Sequence, residues 1–196
     1  MENSKIDPRQ IILDAALEVV AENKISGTRM RLIAEQAGMS QGNLHYYFTT
    51  KDDLLVALLK TISQRFVDER KTMLAQTNLS LEDRLFSFFD QEKQTIRRRK
   101  EMYVLFDFWV QSTTNPLFRE LMQNDYRIWR HDIETALTGA GGGESIHTPG
   151  RAAIPALMAS LMDGAALQYM IDEDAFDLDV YFVQAQKMIH HLLELA

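Results

Sequence analysis

The sequence contains no cysteine. That excludes a disulfide framework, a thiol nucleophile and any cysteine-ligated zinc or iron–sulfur centre. No run approaches the roughly 18 apolar residues needed to cross a bilayer, and Met1 to Pro8 lacks the basic-then-apolar pattern of a secretory signal. Strand-like alternation is missing, and so is any internal repeat. The histidines are His45, His131, His147, His190 and His191. None has a partner four residues on, and the neighbours His190 and His191 diverge by about 100° on a helix, so no metal site is expected. Gly139 to Gly143 is no phosphate loop, since no strand precedes it and no Lys-Ser/Thr follows. No nucleophile–base–orienter set can be picked out, so neither catalysis nor a cofactor is expected. Positive charge is also scarce, with 21 basic against 28 acidic residues and a net charge of −7. Taken alone, that balance speaks against nucleic acid. At 196 residues the chain is long enough to bury a core without a staple, and a soluble cytoplasmic protein is the expectation.

What is present is helix. Asp7-Pro8-Arg9-Gln10 joins an N-cap carboxylate to a proline at the first helical position, and Ile12, Ala15, Ala16, Val19 and Val20 follow on one face. Gly27 breaks that helix. Met30, Ile33, Ala34 and Ala37 give a short second one closed by Gly38, and Ser40 caps a third that carries Leu44, Tyr47 and Phe48 inward. Thr50 with Asp53 opens a long fourth helix, Thr77-Asn78 breaks it, and Ser80 caps a fifth. Asn115-Pro116 separates two more. After a glycine-rich connector, two helices at about 152–171 and 178–194 close the chain. The fold class is all-α with about nine helices: an N-terminal three-helix head with a helix-turn-helix, then a C-terminal helical bundle.

Residues 28–48 carry the functional signal. Two short helices joined by Ala37-Gly38-Met39-Ser40 make a helix-turn-helix, whose second helix enters a DNA major groove with its N-terminal residues at the base edges. Ser40, Gln41 and Asn43 are short hydrogen-bonding groups there, and Gln and Asn pair bidentately with adenine. Gly42 permits close backbone approach. His45 and Tyr46 suit phosphates or thymine methyls, Lys51 suits a phosphate, and the amides opening the fourth helix favour an anion. Periodicity alone also fits a plain helical hairpin.

The run from Thr28 through Phe48, continued by Thr50-Lys51-Asp52-Asp53-Leu54-Leu55, resembles the DNA-binding head of the TetR family of bacterial transcriptional regulators. The likeness covers about residues 7–56, with many spacings coinciding; the remainder is similar only in architecture. His45 stands where the family usually has tyrosine. Arg29 stands where it usually has threonine, leaving Thr28 as the expected cap. The resemblance implies a DNA-binding domain over residues 1–50, with Thr28, Arg29, Arg31, Ser40, Gln41, Gly42, Asn43, His45, Tyr46 and Lys51 at the operator. It implies a ligand-binding and dimerisation domain over 51–196, a small-molecule inducer and a homodimer acting most often as a repressor. The alternative is an all-α small-molecule-binding or interaction protein without operator binding.

Divided along the chain, the charge agrees with DNA binding. Residues 1–60 carry −1, residues 61–100 carry +3 and residues 101–196 carry −9. Between 24 and 51, Lys24, Arg29, Arg31 and Lys51 face Glu35 alone. The acidity belongs to the C-terminal part and the groove-facing piece is basic.

Large apolar side chains crowd residues 85–131 beyond what one stripe per helix requires. Phe89, Tyr103, Phe106, Trp109, Met122, Tyr126 and Trp129, with Gln168 as a polar orienter, are the candidate lining of a ligand cavity. Small residues on the 152–171 helix (Ala156, Ala159, Ser160 and Gly164) allow close helix approach. Tyr181, Met188 and Leu192 give the last helix a second apolar side, so a four-helix interface between two chains is expected. Arg97 to Lys100 reads as cations at a helix C-terminus, and the acids from Asp172 to Asp179 as a solvated cluster with an N-cap.

Overall fold

The computed structural model describes residues 7–75, 79–138 and 149–195. Among them are nine helices and no strand. They are α1 (Pro8–Gly27), α2 (Met30–Gln36), α3 (Gln41–Tyr47), α4 (Lys51–Leu74), α5 (Leu81–Arg97), α6 (Arg99–Ser112), α7 (Pro116–Thr138), α8 (Pro149–Ile171) and α9 (Leu178–Leu195). The expected Thr77-Asn78 break and the glycine-rich connector through residue 148 lie outside the described residues.

The chain divides into two compact units. The first comprises Met1–Arg65 with Lys100–Met122, and the second Phe66–Arg99 with Gln123–Ala196. In the first, the Asp7 carboxylate accepts the Arg9 N–H at 2.9 Å and opens α1. Ile12, Ala15, Ala16, Val19 and Val20 are buried as their spacing predicts. At Lys24 the helix is interrupted by a positive φ of 61°, and Ile25 turns inward to 5 % exposure. Ile33 and Ala34 of α2 and Leu44 of α3 complete the head's core together with Phe48, Leu54, Leu55, Leu58 and Leu59. Each such side chain, fully buried, contributes on the order of 1.5–3 kcal/mol. From α6 and α7, Phe108 and Phe118 meet edge to face at 5.2 Å in the same unit.

One detail of the head departs from expectation. Thr28 does not cap α2; Arg29 occupies that position without a side-chain hydrogen bond. The Thr28 hydroxyl instead donates back to the Lys24 carbonyl at 2.7 Å, and the residue is 2 % exposed. A threonine between two helices can serve either end, and here the carbonyl left open by the break in α1 takes it.

In the second unit α5 packs on α8 and α9, and α8 on α9. Ser80 caps α5, its hydroxyl accepting the Asp83 N–H at 3.1 Å. Leu85, Phe88, Phe89 and Ile96 form the inward stripe of α5, with Phe89 5.5 Å from Phe182 of α9. Ile154, Met158, Met162, Ala165 and Ala166 of α8 and Ala185 and Ile189 of α9 complete this core.

Candidate nucleic-acid interface and ligand-binding unit

The helix-turn-helix is set by its turn. Gly38 has φ 67° and closes α2, its N–H donating to the Glu35 carbonyl at 3.1 Å while Met39 N–H reaches the Ala34 carbonyl at 3.0 Å. That 6→1 bond belongs to a Schellman closure, and its left-handed residue favours glycine. Ser40 then caps α3, its hydroxyl accepting the Asn43 N–H at 3.2 Å. Leu44 is fully buried and Phe48 nearly so, which fixes the rotation of α3. Ser40, Gln41, Gly42, Asn43, His45 and Tyr46 are thereby exposed on one surface, Tyr46 at 84 %.

The outward side chains are partly ordered among themselves. His45 Nδ1 lies 3.2 Å from the Thr49 carbonyl oxygen. Because that oxygen can only accept, Nδ1 carries the proton and Nε2, 3.4 Å from Gln41 Nε2, is the acceptor. The Tyr46 and Tyr47 rings meet edge to face at 5.1 Å. An added Cβ at Gly42 would meet nothing closer than the Ser40 hydroxyl at 4.0 Å. The fold itself therefore does not require glycine there, although glycine costs a helix about 0.5–1 kcal/mol.

The basic residues divide. Arg29 is exposed. Arg31 is exposed and paired with Glu35 one turn on. Lys51 is turned inward, and its ammonium donates to the Ile25 carbonyl at 2.5 Å. Burial pulls Lys51 below the usual lysine range, while Asp52 and Asp107 act in the other direction. The start of α4 is partly occupied by its own side chains. Thr50 N–H donates to the Asp53 carboxylate at 3.1 Å, and Asp53 N–H to the Thr50 hydroxyl at 3.0 Å. This reciprocal capping box uses amides that the sequence left available.

The candidate ligand residues fall in both units. Tyr103 and Phe106 are half-buried in the first, as is Met122, while Trp109 there is 49 % exposed. Lys24 Nζ stands 5.1 Å over the Tyr103 ring. In the second unit Phe89 is fully buried, and Tyr126 and Trp129 stack at 6.2 Å. Gln168 is exposed on α8, and another polar residue faces inward instead. Asp163, one turn earlier, accepts the Tyr126 hydroxyl at 2.6 Å. Sequence reasoning also passed over Glu92, which lies between Phe88-Phe89 and Thr95-Ile96 on the inward stripe of α5. Burial pushes its pKa up to about 8, Asp163 adds to the rise, and Arg70 and Arg98 oppose it. A carboxylate at an apolar-stripe position was the available signal.

Of the candidate dimer residues, Ala156, Ser160 and Met188 are exposed and Gly164 and Leu192 are half-buried. Ala159 is 4 % exposed, within the core of its own chain. Tyr181 turns inward and its hydroxyl donates to the Leu161 carbonyl at 2.9 Å. Exposed apolar residues not anticipated are Leu157, Leu167 and Ile171 on α8 and Val180 and Val183 on α9. The basic run is committed to ion pairs: Arg97 with Asp179, Arg98 with Glu69, Arg99 with Glu173 and Lys100 with Glu18. Asp177 accepts the Asp179 and Val180 N–H groups at the start of α9.

Known proteins share both the head and the body. Residues 12–58 match the sequence profile of bacterial regulatory proteins of the tetR family. Residues 82–194 match that of the BetI-type transcriptional repressor C-terminal region. The HTH-type nicotine-responsive transcriptional repressor HdnoR of Paenarthrobacter nicotinovorans is 25 % identical over 174 residues, 88 % of each chain. A TetR transcription regulator from Haloarcula marismortui superposes with a TM-score of 0.80 at 22 % identity, covering 92 % of this chain and 95 % of that one. A transcriptional regulator from Pseudomonas aeruginosa PAO1 gives 0.81 at 17 % identity, covering 98 % and 94 %. At those identities the two structures are alike in fold.

Proposed function

Because this chain belongs to the TetR family of bacterial regulatory proteins, we propose that it is a homodimeric repressor that grips a palindromic operator with two copies of α3 and releases it on binding a small inducer. The family makes it a transcriptional repressor with a ligand-binding C-terminal domain. In this reading residues 1–50 bind DNA and residues 51–196 bind ligand and dimerise. The setting is the cytoplasm, where operators lie, and no membrane takes part.

The observation that carries the reading is the seating of α3. Leu44 at 0 % and Phe48 at 2 % exposure anchor it, so Gln41, Asn43, His45 and Tyr46 face outward together. Gln41 and Asn43 supply base-edge hydrogen bonds, while Tyr46 and Arg29 supply phosphate contacts. Gly42 fits the same picture, since the room it leaves serves a partner outside the fold.

Dimerisation is supported by two exposed stripes. On α8, Ala156, Leu157, Ser160, Leu167 and Ile171 recur at helical spacing, and on α9, Val180, Val183 and Met188 do so. By length and composition α8 is apolar enough over 150–171 to cross a membrane. Here one face of it serves its own core and the other a second copy. Two-fold symmetry then presents two α3 helices to half-sites separated by whole helical turns.

Fluorescence polarisation with DNA from upstream of the chain's own gene tests the reading, alongside sedimentation of the free protein. Submicromolar binding by a species of twice 22.6 kDa is expected. Binding no tighter at that DNA than at unrelated duplexes, or a monomer throughout, overturns it.

A further inference from the structure

The two amides on the outer face of α3 are held differently. Gln41 and Asn43 are both exposed. Among the described residues the Asn43 side chain makes no hydrogen bond, whereas the Gln41 amide meets His45 one turn on. His45 is itself held from behind, its Nδ1 lying 3.2 Å from the Thr49 carbonyl oxygen. Thr49 stands between two anchored neighbours. Phe48 before it is 2 % exposed and lies beneath the Arg9 guanidinium, 4.5 Å from its ring centre. Arg9 also donates to the Tyr47 carbonyl at 3.4 Å. After it, Thr50 and Asp53 close their reciprocal capping box. The acceptor that orients the His45 ring is therefore a fixed point of the head.

Donors and acceptors then dictate how Gln41 is presented. With its proton on Nδ1, the neutral imidazole keeps a lone pair at Nε2. Gln41 Nε2, 3.4 Å away, must offer that lone pair an N–H. The amide nitrogen is thus turned toward His45 and the amide oxygen away from it. Turned over, the oxygen would face a ring nitrogen that carries no proton, acceptor against acceptor. A glutamine amide has two N–H groups, so one remains beside the oxygen for a partner outside the chain. Without such a neighbour an exposed glutamine presents its oxygen and nitrogen in either order.

In the major groove adenine shows a donor at N6 and an acceptor at N7, while guanine shows acceptors at both O6 and N7. An amide free to turn over can give guanine an N–H. One held in a single order sets its oxygen against O6 and can escape only by breaking its bond to His45. We propose that His45 is a positioning residue, which fixes the Gln41 amide to accept adenine and reject guanine at one operator base pair that His45 does not touch. This rests on the operator-binding reading above and gives the preference at that base pair its physical origin. Asn43, which has no such support, serves as the internal comparison.

The test uses the full-length protein. Selection from random duplexes by wild type and Q41A locates the Gln41 position as the one whose preference Q41A relaxes. Fluorescence polarisation on four duplexes that differ only there then measures the His45 variants. H45N keeps a donor for the Thr49 carbonyl but has no atom in place of Nε2. H45Q sets an amide oxygen there, and H45F keeps the ring without either nitrogen. Wild type is expected to favour adenine over guanine by at least about tenfold. H45N and H45F should reduce that ratio to about twofold or less, while H45Q retains most of it. The Asn43 position should be unaffected in all three, and H45N should add nothing at the Gln41 position in the Q41A background. All three replacements are at an exposed residue, and circular dichroism checks that the fold is kept. Specific binding with an adenine preference unchanged in H45N and H45F overturns the proposal and leaves operator binding standing. So does equal loss in H45N and H45Q, because the acceptor at Nε2 then plays no part. A change in H45N at a different base pair from the one Q41A relaxes also overturns it, since His45 would then read a base of its own. A base other than adenine at the Gln41 position, or no position relaxed by Q41A, does the same. Wild-type protein that prefers no sequence overturns operator binding and this proposal together.

Discussion

Lys51 and Asp107 hold a single residue between them. The Lys51 ammonium donates to the carbonyl of Ile25 at 2.5 Å, and the Asp107 carboxylate accepts the N–H of the same residue. Ile25 follows the positive-φ Lys24 that interrupts α1, so both of its backbone groups lack their helical partners. Side chains from α4 and α6 satisfy them, and the end of α1 is fixed by elements far away in sequence.

Removal of either partner should therefore act on stability. Asp107→Ala leaves the Ile25 N–H unsatisfied in a largely buried setting, a loss of about 1–3 kcal/mol. For a chain of this length each kcal/mol lowers Tm by roughly 2–4 °C. Asp107→Asn keeps an acceptor oxygen and should lose less. Thermal unfolding followed by circular dichroism measures both; identical melting of wild type and Asp107→Ala would remove the bond from the account.

The inward turn of Lys51 separates it from Arg29 in DNA binding. Arg29→Ala should reduce the slope of log affinity against log salt by about one, as expected for one lost phosphate contact. Lys51→Ala should leave the slope unchanged and lower Tm, because its charge is spent on Ile25. Affinity titrations at several salt concentrations distinguish the two. An equal loss of slope in both variants would return Lys51 to the phosphate backbone.

On α3 the roles divide by reach. Asn43→Ala and Gln41→Ala should change base preference by about 1–3 kcal/mol at one operator position each, while Tyr46→Ala weakens binding on all sequences alike. Gly42→Ala should raise Tm slightly, since a Cβ there meets nothing within the fold and helix propensity improves by up to about 1 kcal/mol. A loss of operator affinity in that more stable variant would locate the close approach at Gly42. Unaltered preference in both Asn43→Ala and Gln41→Ala would take base reading away from this helix.

Much of this arrangement was legible in the sequence. The 3.6-residue period gave the helices, and Gly38 with Ser40 gave the turn, because those signals are local. Thr28 was misjudged because a threonine between two helices serves either end, and only the break at Lys24 decides which. The surroundings of Gln168 and Tyr181 were not legible because helix rotation is set by distant partners: Asp163, on the turn before the exposed Gln168, accepts the Tyr126 hydroxyl, and the Tyr181 hydroxyl finds the Leu161 carbonyl. Glu92 went unread because a lone charge in an apolar stripe looks like an interruption until the surrounding helices are known to enclose it.

Interface variants test the dimer stripes. Val183→Lys with Ile171→Lys places two charges on exposed apolar positions of α9 and α8. Neither residue contributes to the core of its own chain, so secondary structure should survive while sedimentation shifts to the monomer and operator affinity falls. A dimer unchanged in this double variant would relocate the interface.

The pH dependence of stability isolates Glu92. Its carboxyl has an ordinary pKa of 4.5 and titrates near 8 in the folded chain, chiefly through burial. Below pH 4.5 both folded and unfolded states hold the proton, and the group favours neither. Between about 4.5 and 8 the unfolded chain has released it and the folded chain has not, so each unit of pH subtracts about 1.4 kcal/mol from the folded state's advantage. Above 8 the loss levels off at roughly 4–5 kcal/mol at most. Asp163 is raised by burial as well and acts in the same direction. Glu92→Gln cannot titrate. The stability of this variant relative to wild type should rise steadily from pH 5 to pH 8 and then hold constant, as read from urea unfolding midpoints across that range. A difference that stays flat over the window would mean that Glu92 is ionised and satisfied in the folded chain.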